Sequence, residues 1–155
     1  MNAAFIVPLL GALAFAGTAS ANWTAKHVHD PIKDETRCVL ESTTRTINDG
    51  YQDTQVVLRL DNKALHVVTR SNIDASQDDI RVQVDEHEFI KMDKVYLEQN
   101  VVFEGEITKI IKQFKEGLRA TFTLRFWPSY PDTGQKNVTF SLIGFTKAYG
   151  TLPDC

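Results

Sequence analysis

Catalytic signatures are what this chain lacks first. Its 155 residues contain no G-x-S-x-G nucleophile elbow, no H-E-x-x-H zinc pair and no phosphate-cradling P-loop. Ser42, Ser71, Ser76, Ser129 and Ser141 have no local context that marks one as activated. Asp78 and Asp79 would work as an acid/base pair only if folding carried them into a cleft, and such pairs between strands are ordinarily solvated turns. A surplus of one charge is missing too. Seventeen Lys and Arg stand against twenty Asp and Glu, and the signs are interspersed, so no basic block exists to neutralise nucleic-acid phosphates. There are only two cysteines and they form no C-x-x-C, which excludes a zinc ribbon or a dithiol redox motif. Beyond the first 21 residues no long apolar run recurs, so the remainder is expected to be soluble. The expectation is a protein that is not an enzyme and carries no cofactor.

What is present begins at the N-terminus. Residues 3–17 read AAFIVPLLGALAFAG, and Ala19-Ser20-Ala21 then places small residues where a signal peptidase reads them. No Lys or Arg precedes the run, which is unusual for such a signal. Residues 1–21 are read as a cleaved secretory signal rather than an uncleaved anchor or a buried helix, giving a periplasmic or extracellular location. In an oxidising compartment Cys38 and Cys155 are expected to form one intramolecular disulfide, the alternatives being an intermolecular bond or a free thiol.

Residues 22–37 carry few large apolar side chains and read as a leader. Residues 38–155 form a single domain whose texture has a period of two. QVVLRL (residues 55–60) and ALHVVTR (residues 64–70) flank Asp61-Asn62-Lys63 as a hairpin. Ile80, Val82 and Val84 alternate with polar residues, and shorter strands are expected at residues 89–92, 95–97 and 101–103. Ile107, Ile110, Ile111, Phe114 and Leu118 recur instead at helical spacing, with Gly117 as the stop. Leu118, Ala120, Phe122, Leu124 and Phe126 then share a strand face, as do Val138, Phe140 and Leu142, before Gly144 suggests a bulge or a close backbone contact. Short connections and a lone helix predict a mainly β fold: an antiparallel β-sandwich or partly open barrel with one packed amphipathic α-helix.

Three sets of residues are candidates for function. Trp127-Pro128-Ser129-Tyr130-Pro131 makes a stiff aromatic loop at a hairpin tip, where Trp127 and Tyr130 would bind a partner. The alternative is that both pack on the strand ends as core. His27 and His29 point the same way from an extended segment and are weak metal candidates, because zinc usually takes four ligands. His66 sits in an apolar strand and His87 in an acidic turn, packed and solvated respectively.

The C-terminal third, with its amphipathic helix, Gly117, long alternating strand, loop and Phe140-Ser141-Leu142-Ile143-Gly144-Phe145-Thr146-Lys147-Ala148, resembles the invasion-associated locus B family. The likeness spans residues 107–152. It departs at residues 100–106, which lack the further cysteines common in that family. The resemblance implies an exported bacterial β-sandwich of the periplasm or cell surface without a catalytic site. Its partner would be another envelope protein or a surface component.

Overall fold

Alternating side chains and short connections build two antiparallel sheets. The computed structural model describes residues 22–128 and 134–155; the predicted signal segment and Tyr130 lie outside them. The strands are β1 (Trp23–Asp30), β2 (Glu35–Ser42), β3 (Arg45–Asn48), β4 (Asp53–Leu60), β5 (Leu65–Thr69), β6 (Arg81–Val84), β7 (Ile90–Lys91), β8 (Lys94–Tyr96), β9 (Asn100–Phe103), β10 (Arg119–Leu124) and β11 (Lys136–Ser141). Helix α1 (Ile107–Glu116) precedes β10, and α2 (Phe145–Gly150) leads into a 3₁₀ turn, Leu152–Asp154. The larger sheet runs β1-β2-β4-β5-β9-β8, with β3 also on β4, and the smaller runs β11-β10-β6-β7. This is the predicted mainly β sandwich.

Strands β2 and β3 share one edge of β4, β2 pairing at Leu40–Leu60 and β3 at Arg45–Val56. Where one strand hands over to the next, the Leu58 N–H donates to Ser42 Oγ at 2.9 Å, so a hydroxyl replaces a missing ladder acceptor. The β4–β5 hairpin turns where expected. Asp61 Oδ1 accepts from the N–H groups of Lys63 and Ala64, which is why an aspartate opens this turn.

The inner faces meet over Leu40, Leu58, Leu65, Val67, Val82, Phe103, Phe122 and Phe140, none more than 1% exposed. Helix α1 closes the core with Ile110 and Phe114. An aromatic cluster joins α1, α2 and β1: Phe145 lies 5.1 Å from Trp23 and 5.3 Å from Phe114, both edge-on.

Four expectations are corrected. The leader at residues 22–37 forms β1 and the start of β2 instead. Its polar composition fits an edge strand, and Trp23 alone supplies the anchor, 4% exposed with its Nε1–H donating to the Ser141 carbonyl at 3.0 Å. Gly144 is neither a bulge nor a close contact, since a Cβ there would meet nothing within 4 Å; at φ 85° it is the left-handed residue that opens α2, a helix too short to show a period. Leu118 is 63% exposed, because it lies past Ala120–Val84, where the β6 pairing ends. Phe89 and Leu97, expected in strands, lie outside β7 and β8 and are exposed.

Candidate functional site

Four connections meet at one end of the sandwich. They are the β3–β4 turn at residues 49–52, residues 70–74 after β5, the β8–β9 turn at residues 97–99, and the start of the β10–β11 loop. Asp49 ties the first to the second: Ser71 Oγ donates to its Oδ2 at 2.6 Å, while Oδ1 accepts from the N–H groups of Tyr51 and Gln52. Burial pushes the Asp49 carboxyl up, but these hydrogen bonds outweigh it and hold the group below its ordinary value. Asn72 ties the remaining loops together. Its carbonyl accepts from the Trp127 N–H at 2.9 Å, its Oδ1 accepts from Gln99 Nε2 at 3.0 Å, and its Nδ2 reaches Glu98 Oε2.

From this cross-braced end project Tyr51, Leu97 and Trp127, 53%, 58% and 51% exposed. Phe126, the residue before Trp127, is 1% exposed, so the strand alternation that buries one turns the other outward. Trp127 therefore sits on the surface, and Tyr130 lies outside the described residues. Sequence reading missed Tyr51 and Leu97. A tyrosine after Gly50 in a turn carries the same cue as Trp127, but nothing in the sequence brings residues 51, 97 and 127 to one end.

A second site lies on the outer face of the large sheet, away from the core. Asp61, Arg37, His66 and Asn100 form a hydrogen-bonded row across β2, the β4–β5 turn, β5 and β9. Arg37 Nη1 donates to Asp61 Oδ2 at 3.3 Å, Arg37 Nη2 lies 3.3 Å from His66 Nε2, and His66 Nδ1 lies 3.1 Å from Asn100 Oδ1. The acceptor Asn100 Oδ1 fixes the tautomer, with the proton on Nδ1 and the Nε2 lone pair facing Arg37. Burial and then the Arg37 charge lower the His66 pKa, so the ring is neutral at pH 7. Beside this row, Glu41 bridges Lys26 at 2.8 Å and Arg59 at 2.9 Å. Burial raises the Glu41 pKa, and the two cations more than reverse that. Residues of the row and Val28, Val39 and Val68 line a cleft of about 240 Å³.

His27, His29, Asp78 and Asp79 each face a different partner, His27 and His29 from one face of β1. His27 stands opposite Cys38 in the β1–β2 pairing, its Nε2 3.9 Å from Cys155 Sγ, whereas His29 Nε2 lies 3.5 Å from Asp34 Oδ1. Among the described residues, no three His, Cys, Asp or Glu side chains converge as a metal cage. Asp78 and Asp79 turn to different partners, Lys91 at 2.7 Å and Arg125 at 2.6 Å. The Arg125 hydrogen bond, outweighing burial, holds the Asp79 carboxyl below its ordinary value. Cys38 and Cys155 form the expected disulfide.

No protein-family model and no curated protein matches the sequence. The fold is similar to that of invasion associated protein B from Bartonella henselae. The two superpose with a TM-score of 0.55, covering 88% of this chain and 94% of that one, at 16% sequence identity. At that identity the likeness is one of fold, and it reaches well beyond the C-terminal third in which the sequence resemblance was read.

Proposed function

We propose that this is an exported, non-catalytic binding or accessory protein of the bacterial envelope, which docks on another envelope protein or surface component through the loop end around Trp127. The observation that carries the reading is the cross-bracing there. Asp49 and Asn72 hold four connections in register while Tyr51, Leu97 and Trp127 stay more than half exposed. Large, rigid aromatic side chains on pre-ordered loops lose little entropy on binding and dominate interface energies. The disulfide and the fold likeness support the envelope setting, as does the apolar segment before Asn22. Tyr130 belongs to the proposed tip on sequence grounds.

The alternative is a small secreted enzyme or inhibitor whose site is assembled from distant residues, and the outer-face cleft with His66 is its best support. Both ring nitrogens of His66 are engaged, by Arg37 and by Asn100, so neither is free to take a proton from a substrate. That arrangement favours holding over chemistry.

Replacing Trp127 and Tyr51 together with alanine tests the docking surface. The melting temperature should stay within a few degrees of wild type, as expected for half-exposed side chains. Capture of the partner from envelope extract should fall at least tenfold. A collapse in stability, or capture undiminished, would contradict the reading.

A further inference from the structure

We propose that the disulfide is a thiol-exchange site, at which a small zwitterionic peptide thiol bonds to Cys38 and releases Cys155 with the segment that carries it. Little else holds that segment. Among the described residues, the hydrogen bonds of residues 151–155 stay within residues 148–155, apart from the contact of Cys155 Sγ with His27. The N–H groups of Thr151, Asp154 and Cys155 donate to the carbonyls of Ala148, Thr151 and Leu152, all within one local turn. Thr151, Pro153, Asp154 and Cys155 are exposed, and the half-buried Leu152 alone packs against the core. Without the S–S bond, that side chain and the His27 contact are what remain to keep the segment on the sheet. So few buried contacts mark a unit that opens locally while the rest stays folded.

Cys38 can be reached. It lines a cleft of about 480 Å³, within the usual range for small-ligand sites, and Leu152 and Pro153 of the C-terminal segment form part of the same lining. Charge sets the ligand class. Lys33, Lys63 and Glu35 also line the cleft, and none of them has an ion-pair partner among the described residues. A short peptide thiol with two carboxylates and one ammonium presents the complementary set. Its thiolate attacks Cys38 Sγ. The new S–S bond forms as the Cys38–Cys155 bond breaks, and the bonding electron pair leaves on Cys155 Sγ. One thiol is consumed and one is produced, so the exchange needs no oxidant or reductant beyond the thiol itself. His27 Nε2 lies 3.9 Å from Cys155 Sγ, where an N–H stabilises the departing thiolate. Once Cys155 is released, Leu152 and Pro153 are free to leave the cleft.

The test uses reduced glutathione as the zwitterionic thiol and mercaptoethanol as an uncharged control. The disulfide-bonded protein is incubated with each thiol without denaturant, quenched by acid at early times, alkylated, and mapped by peptide mass spectrometry. The expected product carries one glutathionyl group on Cys38 and an alkyl group on Cys155. Near-ultraviolet circular dichroism and the hydrogen-exchange protection of β10 should be retained. Lys33→Gln combined with Lys63→Gln should slow the glutathione reaction about threefold and leave the mercaptoethanol reaction unchanged. His27→Ala, which removes the donor beside the leaving sulfur, should slow both reactions about threefold. A bond that resists glutathione in the folded protein yet exchanges in urea would overturn the proposal. So would a glutathionyl group on Cys155, loss of the folded spectrum on exchange, a lysine variant that slows both thiols equally or neither, or a His27→Ala variant as fast as wild type.

Discussion

His66 shows how one side chain can couple the outer face to pH. Its folded pKa is lowered, first by burial and then by the Arg37 charge, with Asn100, Asp61 and Glu104 opposing. The unfolded value is about 6.5, so the unfolded chain binds more protons in the window below it. The His66 contribution to stability is therefore complete above about pH 6.5 and is lost as pH falls toward the folded pKa. The urea midpoint should drop between pH 7.5 and pH 5.5, and His66→Gln should flatten the profile across that window. An unchanged profile would mean that the row from Asp61 to Asn100 does not discriminate between the two protonation states. Asp49 and Asp79 act lower, since their depressed pKa values add stability above the usual carboxylate range that is lost as acid protonates them. None of these partners could be read from sequence: residues 37, 61, 66 and 100 are joined only by strand register.

At the level of elements, the junction between α1 and β10 is decided by contact at Gly117. Its backbone, at φ −92° and ψ 171°, is open to any residue, so conformational freedom is not the reason for glycine. A Cβ there would stand 2.6 Å from Val84 Cγ1, 2.8 Å from the Gln113 carbonyl oxygen and 2.9 Å from Asp85 Oδ2. Gly117→Ala should therefore cost about 1–3 kcal/mol by overpacking. Val84→Ala added to it should recover part of the loss in a double-mutant cycle followed by urea denaturation. Additive losses would place the strain elsewhere. The stop itself was legible in the sequence, but its cause was not, because Val84 is 33 positions away along the chain. The same holds for β1. Periodicity found α1 and the strands β4, β5, β6, β10 and β11, whose apolar faces are long. It passed over β1, where Trp23 anchors an otherwise half-polar edge, and α2, whose single fully buried residue is Phe145.

For the whole molecule, the disulfide is the one covalent constraint on the order of the fold. It closes a loop of 117 positions between β2 and the C-terminal 3₁₀ turn, and the chain-entropy model assigns such a closure roughly 4–5 kcal/mol. It also brings Cys155 beside β1 and β2, where Cys38 pairs with His27. Composition made this pairing legible, because two cysteines allow a single intramolecular bond. The sandwich was legible from alternation. The loop end and the outer-face cleft were not, since each gathers residues from four or more segments. The disulfide-locked sandwich and its proposed export share one direct test, which is mass. The intact mass of the protein recovered from its native host, measured before reduction and after reduction with alkylation, should correspond to a chain beginning at Asn22 and lighter by two hydrogens. A mass retaining Met1 with two free thiols would contradict both the envelope setting and the covalent closure on which it rests.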